Sequence, residues 1–253
     1  MLLALWSPKG GSGTSVVSAA LALVAAGRSG ARLADLGGDQ PAILGLPPDP
    51  PSWTAADGGE PADTSSPPAS SGGLSAWLAA GPSAPTEWLD AMAVPVVPGL
   101  SVLPRGRGAP EHASPEAGAA LAVALRDGGV TVLDAGPGAA HPGGAARAVI
   151  EVADRALLVI RPCYLALRRA VGDPRLERSW GAILLEEPGR ALDAGDVASV
   201  LGVPVVGRFP VRAEIARAVD AGVLRDRLPT PLAAPATGVL DRVRDGVDGR
   251  WAA

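Results

Sequence analysis

The stretch SPKGGSGTS, residues 7–15, separates an apolar run, Leu2–Trp6, from an alanine- and valine-rich run, Thr14–Ala26. Glycines at 10, 11 and 13 let successive backbone N–H groups converge on an anion. A helix starting there adds the positive end of its dipole. The chemistry this spacing suits is the cradling of phosphate. Lys9 is the only lysine in the chain; the other 21 of the 22 basic residues are arginine. A compact ammonium fits where a planar guanidinium does not, so a lone lysine inside a glycine turn reads as functional. A second candidate is Asp134, which closes the apolar run VTVLD ahead of Gly-Pro-Gly. A carboxylate at the end of a strand can accept from Mg2+-bound water.

Elements must position these groups. Short runs, apolar on both faces, read as buried parallel strands near Leu2–Trp6, Arg32–Asp35, Leu100–Leu103, Val130–Asp134, Ala156–Ile160, Ala182–Leu185 and Val205–Phe209. Between them, helical patterns cover Thr14–Ala26 (ended by Gly27), Pro115–Arg126, Gly144–Val152, Ala194–Leu201 and Arg212–Ala221 (stopped by Gly222). Strands alternating with helices predict an α/β fold with a single doubly wound, mostly parallel sheet. Ligands in such folds sit at the carboxyl ends of the strands. Residues 47–73, rich in Pro, Ser and Gly with four acids and no base, read as a flexible insertion in a single domain spanning 1–253. A C-terminal helix is expected near 237–250, with Val239, Leu240, Val243, Val247 and Trp251 on one face.

Composition narrows the function. Residues 1–160 carry 8 basic and 14 acidic groups, and residues 161–253 carry 14 and 12; this is no polybasic nucleic-acid arm, although a folded arginine patch could bind DNA weakly. One cysteine, Cys163, and two histidines, His112 and His141, make neither a disulfide nor a metal cluster. Met1–Trp6 is too short for a signal peptide and no apolar run approaches a membrane span, so a cytoplasmic protein is expected.

KGGSGTS resembles the deviant Walker A loop of the ParA/MinD class of P-loop ATPases, which reads Lys-Gly-Gly-x-Gly-Lys-Ser/Thr. The resemblance implies ATP or ADP with Mg2+ on residues Lys9, Gly10, Gly11, Ser12, Gly13, Thr14 and Ser15. Lys9 matches the signature lysine that reaches across a homodimer to the other subunit's phosphates, and Ser15 matches the hydroxyl that holds Mg2+. Thr14 stands where the family has a second lysine. Losing that charge-assisted contact costs about 1.5–3 kcal/mol. ARLADLGGDQPAILGL is similar to the segment carrying the family's catalytic acids: Asp35 matches the first, Gly37 replaces the second, and Asp39 is the candidate substitute, with helix capping as its alternative role. That segment also resembles the TadZ/CpaE-like branch, which serves pilus assembly and polar localisation. VTVLDAGPG is similar to the family's Walker B and switch region, with Asp134 as the Mg2+ partner and Gly136 and Gly138 as the moving turn.

Three further stretches extend the likeness to about residue 225. WGAILLEEPGR places Glu186 where the family has an adenine-binding asparagine; a carboxylate accepts but cannot donate to a ring nitrogen. LGVPVVGRFPVRAEIARAVDAGVL resembles the base-side loop and following helix, with Pro210, Arg212 and Glu214 lining the base. GLSVLPRGRG and ALLVIRPCYLALRRA match other family stretches, the latter with Arg168 and Arg169 as candidate partner or DNA contacts. The resemblance implies a positioning, partitioning or assembly protein for pilus, chromosome or division site, with slow or absent ATP hydrolysis and a protein partner. A pseudo-ATPase scaffold and an ATP-dependent ligase or amidotransferase are the alternatives. An iron–sulfur reductase is excluded, because one cysteine cannot supply two cluster ligands per subunit.

Overall fold

The computed structural model describes residues 1–46, 72–137 and 144–246. Its strands are β1 (Leu2–Ser7), β2 (Ala31–Asp35), β3 (Val94–Val97), β4 (Leu100–Leu103), β5 (Val130–Pro137), β6 (Arg155–Ile160), β7 (Ser179–Glu186) and β8 (Val205–Pro210). The helices are α1 (Thr14–Ser29), α2 (Gln40–Ile43), α3 (Gly73–Ala79), α4 (Glu87–Met92), α5 (Pro115–Arg126), α6 (Ala145–Val152), α7 (Tyr164–Val171), α8 (Ala194–Leu201), α9 (Ala213–Asp220) and α10 (Thr230–Arg244). The eight strands form one sheet in the order β3-β4-β2-β5-β1-β6-β7-β8. Every pairing is parallel except β3 with β4. The glycine loop therefore leaves the sheet near its centre, from the carboxyl end of β1.

Alternation along β1 builds both layers of the core. Leu2, Ala4 and Trp6 face one side, against α3, α5 and α6. Leu3 and Leu5 face the other, against α1 and α10. All five are fully buried, which is why the strand carries no polar stripe. Trp6 ends this run and is held on its polar edge: its Nε1 donates to Ser179 Oγ at 3.0 Å, and the Arg175 guanidinium lies 4.2 Å from its ring centre. Asp173 neutralises Arg175.

Four boundaries differ from the sequence expectation. Helix α1 runs through Gly27 to Ser29 and stops at Gly30, whose N–H bonds Ala26 O at 3.3 Å. A helix tolerates one exposed glycine for about 1 kcal/mol, and here burial of its alanine face and the Arg28–Asp241 ion pair carry it onward. The C-terminal helix begins at Thr230, seven residues early, with Pro231 in its first turn and Pro235 inside. Burial of Leu232, Ala236, Val239, Leu240 and Val243 outweighs the hydrogen bond Pro235 removes. Its expected end, with Val247 and Trp251, lies outside the described residues. The sequence reading also omits β3, whose Pro95 disguises it; it is an edge strand, the place where a sheet admits proline. Finally, Gly73 begins α3 rather than ending the insertion, and the rest of that segment up to residue 71, like Gly138 and His141, lies outside the described residues.

Candidate functional site

The loop from Ser7 to Thr14 is shaped by glycine. Gly13 has φ of 78°, a left-handed value that favours glycine, and a Cβ there would stand 2.7 Å from Leu185 Cδ1. Around Gly10 and Gly11 a Cβ would meet nothing within 4 Å, so the mouth of the loop is open. Among the described residues, the N–H groups of Gly10, Gly11, Ser12 and Gly13 meet no backbone acceptor in hydrogen-bonding geometry. Ser7 and Ser12 hydroxyls both donate to Lys9 O, at 3.1 and 2.9 Å, which fixes the turn from inside. Helix α1 begins at Thr14 with no side-chain cap. The arrangement is a concave set of free donors at a helix N-terminus, which is what an anion site requires. Lys9 is half-buried, and its ammonium has no partner among the described residues.

Beside this cradle lie two fully buried carboxylates. Asp35 ends β2 and Asp134 sits on β5, directly opposite in the parallel register. Asp35 accepts from Gly38 N at 2.6 Å and Gln40 N at 3.0 Å. Asp134 accepts from Gly136 N at 3.0 Å and Gln40 Nε2 at 2.8 Å, with Ser15 beside it. Burial, then the neighbouring Asp134, push Asp35 from 3.8 up to about 7. Burial likewise raises Asp134, against the opposing bonds from Ser15, Gln40 and Gly136.

Gln40 is absent from the candidates drawn from sequence. It is fully buried, and its Nε2 bridges Asp134 and Ser15 O, the latter at 2.9 Å. Two oxygen acceptors fix which way its amide points, and Oε1 is left buried without a partner. Thr14 Oγ1 is the other orphan at the loop. The one available signal was position: Gln40 opens α2 immediately after the glycine turn that follows Asp35.

Asp39 is exposed and occupies the N-terminal flank of α2, yet its side chain makes no capping hydrogen bond. It therefore does not cap the helix, and from its exposed position its charge acts on both Asp35 and Asp134. At Gly37, in contrast, a Cβ would sit 3.3 Å from Asp134 Oδ2, so this position points straight at the carboxylate and carries nothing.

On the other flank, Glu186 ends β7, pairs in register with Pro210, and accepts from Arg208 Nε at 2.5 Å. The next residue, Glu187, is held by Arg161 and Arg190; Arg190 first, then Arg161, keep its carboxyl below the ordinary value. Arg212 is the exposed residue preceding α9, and Glu214 lies exposed in that helix's first turn. Arg168 and Arg169 are exposed on α7, well apart in sequence from the loop and on the helix that follows β6.

Gln40 thus ties Asp134 to the start of α1, where Ser15 lies, beside an open donor cradle, and a hydroxyl with a water-bridged carboxylate suits a Mg2+ ion. Among the described residues no group of three or more His, Cys, Asp or Glu forms a metal cluster. The phosphate chain of a nucleotide fits the cradle, with one departure at Thr14, where a neutral hydroxyl stands.

Fold and loop together define an α/β protein with one mostly parallel eight-stranded sheet, matching ParA/MinD P-loop NTPase structures. The ParA family ATPase from Chlorobium tepidum TLS superposes with a TM-score of 0.68 at 19% identity, over 96% of this chain and 97% of that one. The septum site-determining protein MinD with Mg-ADP from Pyrococcus horikoshii OT3 gives 0.69 at 16%, over 99% of both chains. The MinC:MinD cell division complex of Aquifex aeolicus gives 0.68 at 16%, over 96% of both. No protein-family model and no curated protein matches the sequence. No helix among the described residues is long and apolar enough to cross a membrane.

Proposed function

We propose that this chain is a nucleotide-dependent positioning protein of the ParA/MinD kind that works as a slow switch. The observation that carries the reading is the buried Gln40 amide, which ties Asp134 to the Ser15 backbone at 2.8 and 2.9 Å, beside the open mouth of the loop at Gly10 and Gly11. Ser15 and Asp134 hold Mg2+, and the loop N–H groups hold the phosphates. The metal, when bound, neutralises charge on the β- and γ-phosphates. Lys9, with no partner among the described residues, is a cation able to reach a second subunit's phosphates, so the active form is a homodimer. The solved MinD carries Mg-ADP and the Aquifex MinD stands in complex with MinC; by likeness this chain takes Mg-ATP or Mg-ADP and recruits a protein partner.

Hydrolysis is slow or absent on this reading. Thr14 removes one phosphate-facing cation. Gly37 leaves the segment after Asp35 without the family's second acid, and Asp39 is exposed to solvent. Removal of one preorganised electrostatic contact in a transition state costs about 2.7–4 kcal/mol, roughly a hundred- to a thousandfold in rate. Such a protein marks a state by what it binds and turns over rarely, which suits a localisation or assembly factor for pilus, chromosome or division site, as in the TadZ/CpaE-like branch.

The test is equilibrium binding of Mg-nucleoside triphosphates, ATP first, with sedimentation in parallel. We expect micromolar to millimolar binding that promotes a dimer, loss of both in Lys9→Ala, and tighter binding in Thr14→Lys. Absence of binding by any Mg-nucleoside triphosphate at millimolar concentration refutes the reading. So does a strict monomer under saturating nucleotide, or rapid turnover that disappears in Lys9→Ala.

A further inference from the structure

A nucleoside attached to phosphates in the cradle must extend toward one of its two flanks. The β5–β2 flank is filled: Asp134, Asp35 and Gln40 are all fully buried there. The β6–β7–β8 flank is open at its carboxyl ends, where the charged residues Arg161, Glu186, Glu187 and Arg208 are half-buried or exposed. The phosphate loop abuts this flank, because Gly13 packs on Leu185, one residue before Glu186. The base therefore meets the end of β7.

Two carboxylates stand there, and only one has capacity to spare. Glu187 Oε1 is taken by Arg161 and Oε2 by Arg190 through two nitrogens. Glu186 Oε1 receives Arg208, while Oε2 has no partner among the described residues. The Glu186 side chain is 36% exposed and Arg208 60%, so both can reach a ligand. Arg208 arrives from the neighbouring strand and steadies the carboxylate rather than consuming it.

A carboxylate only accepts hydrogen bonds. Adenine presents an amino donor next to a ring nitrogen that is itself an acceptor, so one carboxylate oxygen would face a lone pair. Guanine presents two adjacent donors, the ring N1–H and the 2-amino group, which a carboxylate takes with both oxygens. Its remaining edge atom, O6, is an acceptor, and the Arg208 guanidinium beside Glu186 supplies donors for it. We propose that this site prefers guanine over adenine nucleotides, with Glu186 as the specificity-determining residue and Arg208 as the group that positions it. The inference rests on the phosphate site described above and adds the identity of the base.

The experiment is paired equilibrium binding of Mg-GTP and Mg-ATP, with Mg-GDP and Mg-ADP, to the full chain and to Glu186→Gln and Arg208→Gln. One bidentate pair of this type discriminates by roughly ten- to a hundredfold, so GTP should bind at least about tenfold tighter than ATP. Glu186→Gln, which offers a donor beside an acceptor, should erase or invert that ratio. Arg208→Gln should reduce it in part. The ratio is its own control, because a folding defect weakens both nucleotides equally. Equal binding, an ATP preference, or a GTP preference that both variants leave unchanged overturns the inference while leaving the nucleotide switch intact. Failure of both triphosphates to bind overturns the two together.

Discussion

Asp35 and Asp134 face each other from adjacent strands, both fully buried, and this has a measurable consequence. Asp35 rises from 3.8 to about 7, a shift worth about 4 kcal/mol when fully expressed. The sign follows from proton uptake. Below pH 3.8 folded and unfolded chains both hold the proton. Above it the unfolded chain ionises first, the folded chain keeps its proton, and stability falls as pH rises until Asp35 ionises near 7. Asp134 is raised as well and acts in the same direction. Groups with depressed values, such as Glu187, are ionised in both states above about pH 5.5 and add no slope there. Between about pH 5.5 and about pH 8 the Asp35 shift alone predicts a loss of about 2 kcal/mol. Urea unfolding across that range, followed by circular dichroism, measures it. Asp35→Asn should be the less stable protein at the acid end, because one of the two N–H groups from Gly38 and Gln40 loses its acceptor. It should also lose most of the slope, so that the gap to the parent narrows toward pH 8. A parent equally stable at both ends, or an Asp35→Asn variant with the full slope, would refute the reasoning.

Two substitutions test the loop and the helix behind it. Gly27 is helical, exposed and has open space where a Cβ would go, so Gly27→Ala should raise stability by about 0.5–1 kcal/mol in urea unfolding; a neutral or lower value would mean that α1 does not continue past it. Gly13→Ala should lower stability by about 1–3 kcal/mol, because it combines a left-handed φ with contact against Leu185. Gly10→Ala, where nothing lies within 4 Å, serves as the near-neutral comparison, and equal effects at the two positions would refute the assigned loop geometry.

What the sequence made legible is what depends on local pattern. Apolar runs such as Leu2–Trp6 have few other places to go than the middle of a two-layered sheet, and the glycines after them announce the loop by spacing alone. The misplaced boundaries share one physical cause. Gly27 and Pro235 weaken a helix locally, and burial of alanine, leucine and valine on α1 and α10 outweighs both, a tertiary term that no window of residues contains. Pro95 misleads for the opposite reason: it reads correctly as unfit for a central strand, and the sheet places it at the edge.

The site divides along the same line. Lys9, the loop glycines, Ser15, Asp35 and Asp134 are the candidates that residue type and position single out. Asp39 and Gln40 are neighbours whose burial spacing does not reveal. Spacing favours Asp39 as a replacement acid, but the turn directs it to solvent and sends Gln40 inward, where its amide touches Asp134 and the α1 backbone together. The choice is made by three-dimensional neighbours: the backbone N–H groups of Gly38 and Gln40 are spent on Asp35, which winds the loop tightly enough that residue 40 is the one turned to the core. An amide there is also the better chemistry. A third buried carboxylate against a pair already raised by burial would cost more than either now does, whereas a neutral donor lowers the cost of charging Asp134.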